Sequence, residues 1–236
     1  MTEPLFRADA YLRETPATVL SADPRGVVLD RTVFYAQGGG QPGDSGVLVS
    51  ADGRETGIAN AVYDADRKTI LHVPAEGATL PSAGETVTAR IDWERRHRRM
   101  RAHTALHLLS VALPYPVTGG SVGDAEGRLD FDCDSPLDRN EVEAKLNALI
   151  ARDAPVTQRW ITDAELEANP SLVKTMSVKP PTGTGKVRLI EIEGLDLQPC
   201  GGTHVARTAE IGRAIVTQIE KKGRLNRRVR IALAAD

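Results

Sequence analysis

His103 and His107 are four residues apart in RMRAHTALHLL, a spacing that sets both imidazoles on one face of a helix. Cys200 and His204 are also four apart, with Gly201 and Gly202 between them. Glycines permit positive φ, so this second segment reads as a tight loop that folds a thiolate and an imidazole towards one point. Imidazoles joined by a thiolate suit Zn²⁺ better than Mg²⁺ or Ca²⁺, which prefer oxygen ligands. A lone histidine pair at helical spacing is usually surface or satisfied core. Here three of the five histidines and one of the two cysteines fall into two such pairs, and the set reads as a zinc site. Thr104, Ala105 and Leu106 stand between the helical histidines, so the glutamate of an H-E-x-x-H protease is missing. Four protein donors suit a closed structural zinc, whereas catalytic zinc keeps a position for water. Spacing leaves that choice open.

The elements that must position these groups follow from the hydropathy pattern. From Ala17 to about Ile91, short β-branched runs alternate with turn chemistry such as Asp23-Pro24-Arg25-Gly26, which predicts a small β-barrel or sandwich. At Asp92 the pattern changes. The next stretch has no Gly or Pro until Pro114, and Asp92 is a suitable N-cap. The domain boundary is placed there, giving a β-domain over 1–91 and an α+β domain over 92–236. Asp138 with Glu141 opens a second helix that buries Val142, Leu146, Leu149 and Ile150, and Thr162 with Glu165 opens a third, ended by Pro170. VRLIEIEG, AIVTQIE and RVRIAL read as strands, the last two forming a hairpin through KKGRLN.

Composition excludes several classes. The chain has 236 residues, 41% of them hydrophobic and 26% charged, as in a folded soluble protein. No window approaches the roughly 18 to 20 apolar residues of a membrane span, and the acidic N-terminus lacks a signal-peptide core. A cytoplasmic location is the expectation. In a reducing compartment Cys133 and Cys200 are not read as a disulfide, and Cys133 reads as an inert buried thiol. Formal net charge is −2, so nucleic-acid contact has to come from local clusters. Arg95, Arg96, His97, Arg98, Arg99 and Arg101 form one; Lys221, Lys222, Arg224, Arg227, Arg228 and Arg230 form another. A charged solvated face is the alternative reading of both.

Two glycine-rich stretches imitate nucleotide loops. In TVFYAQGGGQPGDSG the glycines satisfy G-x-G-x-x-G, but Pro42, Gly43 and Gly46 forbid the helix that must follow. Gly183-Thr184-Gly185-Lys186 lacks the first glycine of a phosphate loop, where Pro180 stands, and Val187 replaces its Ser or Thr.

Taken together, TVFYAQGGGQPGDSG, RMRAHTALHLL, RLDFD, CGGTHV and NRRVRI resemble the freestanding alanyl-tRNA editing proteins, the AlaX family. They equally resemble the editing domain of alanyl-tRNA synthetase. Length and the complete glycine motif resemble the medium-sized members. The resemblance implies a barrel like domain two of elongation factors, followed by the α+β editing domain shared with threonyl- and alanyl-tRNA synthetases. It implies zinc held by His103, His107, Cys200 and His204. It also implies that Thr32 lines the amino-acid pocket, with Gln41 and Asp44 beside it.

The implied activity is hydrolysis of the ester on mischarged tRNA(Ala), seryl-tRNA(Ala) first and glycyl-tRNA(Ala) next. Zinc would polarise the attacking water or the aminoacyl group. Arg98, Arg99, Arg101, Lys221, Lys222, Arg227 and Arg228 are the residues expected to meet phosphate. No protein partner is expected. Two rivals remain: a non-catalytic RNA-binding module with a structural zinc, and a deacylase for another mischarged tRNA.

Overall fold

A computed structural model describes residues 2–174 and 185–234; the start of the phosphate-loop imitation, Pro180 to Thr184, lies outside them. The chain forms two compact units, Met1–His97 and Arg98–Asp236. Their division falls inside the helix whose N-cap marks the boundary read from the sequence.

In the first unit, β1 (Glu3–Pro4) pairs in parallel with β4 (Arg31–Thr32). The remaining strands are β2 (Glu14–Asp23), β3 (Gly26–Leu29), β5 (Gly46–Ser50), β6 (Glu55–Tyr63), β7 (Ile70–Pro74) and β8 (Thr86–Ile91). They close a six-stranded barrel in the order β2-β3-β7-β6-β5-β8. Alternation builds it: β2 buries Thr15, Ala17 and Val19, and β8 buries Val87, Ala89 and Ile91. With Val27, Leu29, Phe34, Leu48 and Ile70 these residues fill the interior, each large side chain contributing about 1.5–3 kcal/mol of burial. The glycine-rich stretch lies outside the regular strands. Gly39 and Gly40 take positive φ (55° and 82°), and a Cβ on Gly43 would run into the Ala61 carbonyl oxygen. Those glycines are therefore required by a turn and by close backbone packing.

Inside this barrel His72 is fully buried. Its Nδ1 donates to the Val27 carbonyl at 2.8 Å, so in the neutral ring Nε2 accepts from the Thr32 hydroxyl at 2.7 Å. Burial pushes its pKa down to about 4, although the Val27 hydrogen bond opposes the shift. The unfolded chain thus takes a proton near pH 6.5 that the folded chain refuses until about pH 4. Stability is expected to be unaffected by this group above pH 6.5 and to fall by about 2–3 kcal/mol as pH drops to 4. Urea melts of native protein and His72→Gln across that window check it; equal pH slopes would remove His72 as the cause.

Helix α1 (Trp93–Ala112) follows, with the Asp92 carboxylate accepting from the Arg95 N–H at 3.1 Å. The second unit then contains β9 (Val117–Val122), β10 (Glu126–Asp132), α2 (Arg139–Ile150), β11 (Val156–Ile161), α3 (Asp163–Ala168), β12 (Val187–Ile192), β13 (Asp196–Pro199), β14 (Ala214–Lys221) and β15 (Asn226–Leu233). One sheet runs β14-β15-β10-β9 and a second β11-β12-β13. The hairpin of β14 and β15 is the one read from the sequence. The pair β9 and β10 extends the first sheet, with β9 too glycine-rich to read as a strand beforehand. The cap of α2 is Asp138, which accepts from the Glu141 N–H at 2.9 Å. This helix buries Val142, Leu146 and Ile150; Leu149, expected in the core, is only half-buried. A reciprocal capping box forms instead at Thr162 and Glu165. Asn147 locks α2 to β14 by exchanging two hydrogen bonds with the Ala214 backbone. Cys133 is buried, with Sγ 3.6 Å from the Ser135 carbonyl oxygen. No helix among the described residues is long and apolar enough to cross a membrane.

Candidate metal centre

The second unit brings His103, His107, Cys200 and His204 together. One ligand atom from each lies within 4.8 Å of all the others. Helix α1 supplies the first two from consecutive turns, and the loop after β13 supplies the others. The loop does not use positive φ at Gly201 or Gly202, contrary to the expectation from composition. Its shape comes from hydrogen bonds. The Gly202 N–H donates to Cys200 Sγ at 3.4 Å, and Arg188 on β12 donates to the carbonyls of Cys200 (3.0 Å) and Gly202 (2.8 Å).

Hydrogen bonds also set which nitrogen His107 and His204 present. His107 Nδ1 donates to Asp196 Oδ2 at 3.0 Å, leaving Nε2 for a metal. Thr104 donates its hydroxyl proton to the Met100 carbonyl, so Oγ1 accepts from His204 Nδ1 at 3.1 Å and again leaves Nε2. The same oxygen accepts from the Val205 N–H at 3.3 Å, tying helix to loop. Cys200 Sγ lies 3.3 Å from His204 Nε2 and 3.6 Å from His103 Nε2. Typical Zn–S and Zn–N bonds in a tetrahedron put sulfur and nitrogen about 3.6 Å apart. The donor set therefore fits zinc in both chemistry and spacing.

The four side chains shift one another's protonation. Burial alone would raise the Cys200 thiol, but the neighbouring His103 and His204 rings and the hydrogen bonds to His103 and His107 hold it well below its usual range. Burial opposes protonation of His107 too, yet Asp196 and Cys200 outweigh it and push the ring up to about 9. A protonated ring has no lone pair to give, so a divalent ion has to displace that proton. Burial and the neighbouring His103 push His204 down to about 3, making it a neutral donor.

Asp196, Gln198 and Thr104 were not legible as site residues. Asp196 is held by Lys174 and by Gln198 Nε2 at 2.7 Å as well as by His107. Only the fold shows that a residue 89 positions from His107 orients it. Asp196→Asn is expected to weaken metal binding about 10- to 100-fold, read by competition with a chromogenic chelator. Equal affinity would relegate Asp196 to packing.

The residues assigned to the pocket lie in the first unit. Thr32 is fully buried; its hydroxyl donates to His72 and accepts from the Phe34 N–H at 3.0 Å. The Gln41 backbone exchanges two hydrogen bonds with Gly38. Asp44 accepts from the Tyr35 N–H at 2.7 Å and pairs with Arg96, and both charged groups are buried.

Most of the basic residues assigned to tRNA are engaged in the fold. Arg99 is buried against Asp124, and Arg101 donates to the Ile211 carbonyl. Arg227 is buried and bonds backbone carbonyls including that of Asp134. Arg228 grips Asp130 with two hydrogen bonds, and Lys222 pairs with Glu220. Arg98 and Lys221 are exposed, with no ion pair among the described residues. Charge clusters could not reveal most of this, because Asp124, Asp130 and the Ile211 carbonyl are distant in sequence from the arginines they hold.

Residues 9–95 match the family described as tRNA synthetases class II (A), and residues 187–230 match the threonyl and alanyl tRNA synthetase second additional domain. The chain is 37% identical to the alanyl-tRNA editing protein AlaX-M of Methanosarcina barkeri over 99% of each chain. It is 33% identical to the AlaX-M protein of Saccharolobus solfataricus, covering 97% of this chain and 98% of that one. Against the alanine–tRNA ligase of Korarchaeum cryptofilum identity is 40%, over 89% of this chain and 24% of the ligase. Near-complete coverage at this identity joins both units to one family: the chain belongs to the AlaX alanyl-tRNA editing proteins, medium-length type.

Proposed function

We propose that this protein is a trans-editing deacylase that hydrolyses the ester of mischarged tRNA(Ala), with seryl-tRNA(Ala) as its main substrate and glycyl-tRNA(Ala) as a second. The observation that carries the reading is the convergence of His103, His107, Cys200 and His204 in a chain of this family. A zinc ion held by these four residues supplies Lewis acidity towards an ester carbonyl or a water molecule. The chain's own contribution is to orient the donors: Asp196 holds His107, Thr104 holds His204, and Arg188 holds the loop that carries Cys200. An aminoacyl ester is already activated, so positioning and modest polarisation suffice, and no covalent intermediate is invoked.

The test is release of serine from seryl-tRNA(Ala) by zinc-loaded protein, with alanyl-tRNA(Ala) as the control. Serine released and alanine retained supports the reading; neither released removes it. For Thr32, whose hydroxyl is committed to His72 and Phe34, the inferred contribution is to hold the start of the glycine-rich stretch. Thr32→Val leaves the buried His72 Nε2 without its donor and is expected to cost about 1–3 kcal/mol of stability, read by urea melts. Altered discrimination between serine and alanine in the same variant would give Thr32 a reading role in addition.

One observation favours the rival of a purely structural zinc: four protein donors converge, the number typical of closed sites. Native zinc-loaded protein that binds tRNA(Ala) yet hydrolyses no ester would establish that rival.

A further inference from the structure

We infer that Trp160 is a stacking platform for the 3′-terminal base of the aminoacylated tRNA, on the sheet face that carries the metal cluster. The inference rests on the deacylase reading of that cluster and adds where the terminal nucleotide is held.

In the sheet β11-β12-β13, Trp160 pairs with Arg188 and Gln158 with Ile190, while Ile190 pairs in turn with Gln198 and Ile192 with Asp196. Residues opposite one another share a face, and so do residues two apart along a strand. Trp160, Gln158, Arg188, Gln198 and Asp196 therefore lie on one face. Cys200 continues it, because its N–H donates to the Arg188 carbonyl at 3.1 Å. The face is closed at one end, where Ile190, Ile192 and Asp196 are buried. At the other end Trp160 is 47% exposed. Its indole makes no hydrogen bond or ring contact among the described residues.

Distance gives the platform its use. Adjacent strands are about 4.8 Å apart, so the Trp160 backbone, two strands from the end of β13, is about 10 Å from that of Cys200. An aminoacyl ester on the terminal ribose has its own base one sugar away from the reacting carbonyl. A base stacked on Trp160 thus leaves the ester within reach of the cluster. Between them Arg188, the cross-strand neighbour of Trp160, ties β11 to the site: its Nε donates to Gln158 Oε1, and its Nη1 donates to the Cys200 and Gly202 carbonyls. An exposed indole with no ring contact among the described residues is a side chain to which a single-stranded base adds at low entropic cost. The face has one occupant chemistry in view, an unpaired purine at an RNA 3′ end.

The chain has two tryptophans, so Trp93→Phe leaves Trp160 as its only indole fluorophore. This variant is titrated with an acceptor-stem hairpin RNA ending in CCA and with the same RNA lacking the terminal adenosine. Saturable quenching by the first, weakened several-fold with the second, is expected; identical curves would overturn the platform. Fluorescence that follows protein concentration and ignores RNA would assign the face to contact between two copies and overturn it too. In steady-state deacylation Trp160→Ala should raise KM about tenfold with kcat within about twofold, and Trp160→Phe should restore most of the loss. An active native protein with an unchanged KM in Trp160→Ala refutes the platform alone. No serine release by the native protein overturns the platform and the deacylase reading together.

Discussion

Cys200→Ala is expected to lose its bound metal and more than about a hundredfold of seryl-tRNA(Ala) deacylation while keeping the barrel intact. Losing an outer partner of a metal ligand typically costs 10- to 100-fold, and a thiolate donor is a larger loss. The residue also supplies the negative charge that the other donors surround. With it gone, His103, His107 and His204 are three buried imidazoles, and only Asp196, bonded to His107, carries a negative charge beside them. A divalent cation then meets only neutral donors and is held less firmly. Metal content, turnover and thermal melting should be read on the same preparation. Loss of metal and turnover with a cooperative melt supports zinc as the catalytic element. A variant that loses metal and retains turnover would sink it. Collapse of the melt with no native turnover to lose would return the site to a structural role, as metal binding free energy is then folding free energy.

Asp44→Ala is expected to destabilise the protein by about 3–5 kcal/mol, lowering the melting temperature on the order of 10 °C. Arg96 is 0% exposed and Asp44 1% exposed, and the guanidinium also donates to the carbonyls of Ala10 and Val33. Removing the carboxylate strands a buried cation that has no route to water. It also deprives the Tyr35 N–H of its acceptor within the glycine-rich stretch. Adding Arg96→Met to Asp44→Ala should recover part of the loss, because the stranded charge goes with it. Strict additivity of the two losses would mean the pair is not coupled. Turnover measured well below the melting temperature separates this stabilising role from direct action on substrate. The second oxygen, Asp44 Oδ1, is buried without a hydrogen-bond partner among the described residues, so this carboxylate has capacity beyond the ion pair.

The arginines before the metal helix show how far reading by pattern goes. Arg96, Arg98, Arg99 and Arg101 look alike along the chain, and a charge cluster invites a phosphate. In three dimensions Arg96 meets Asp44, Arg99 meets Asp124, Arg101 meets the Ile211 carbonyl, and Arg98 is left exposed. The partners are 25 to 110 residues away, and no local rule carries that information. Among the hairpin basics Arg228 meets Asp130, 98 residues away, whereas Lys222 and Arg230 meet Glu220 within the hairpin itself.

By itself the sequence determined what short-range physics controls. The four residues that converge in a cluster able to hold a metal came from i, i+4 spacing and the rarity of His and Cys, the helix starts at Asp92, Asp138 and Thr162 from side chains that satisfy backbone N–H groups, and the barrel from alternation between turns. Family membership followed from the same motifs. Tertiary structure alone decided the rest: that Asp196 and Thr104 orient the imidazoles, that Thr32 is bound to His72, and that Trp160 shares a face with Cys200. Each of these depends on strand register and on long-range pairing of buried polar groups. Burial obliges such groups to find partners, but the choice of partner is made by the packing of the whole unit.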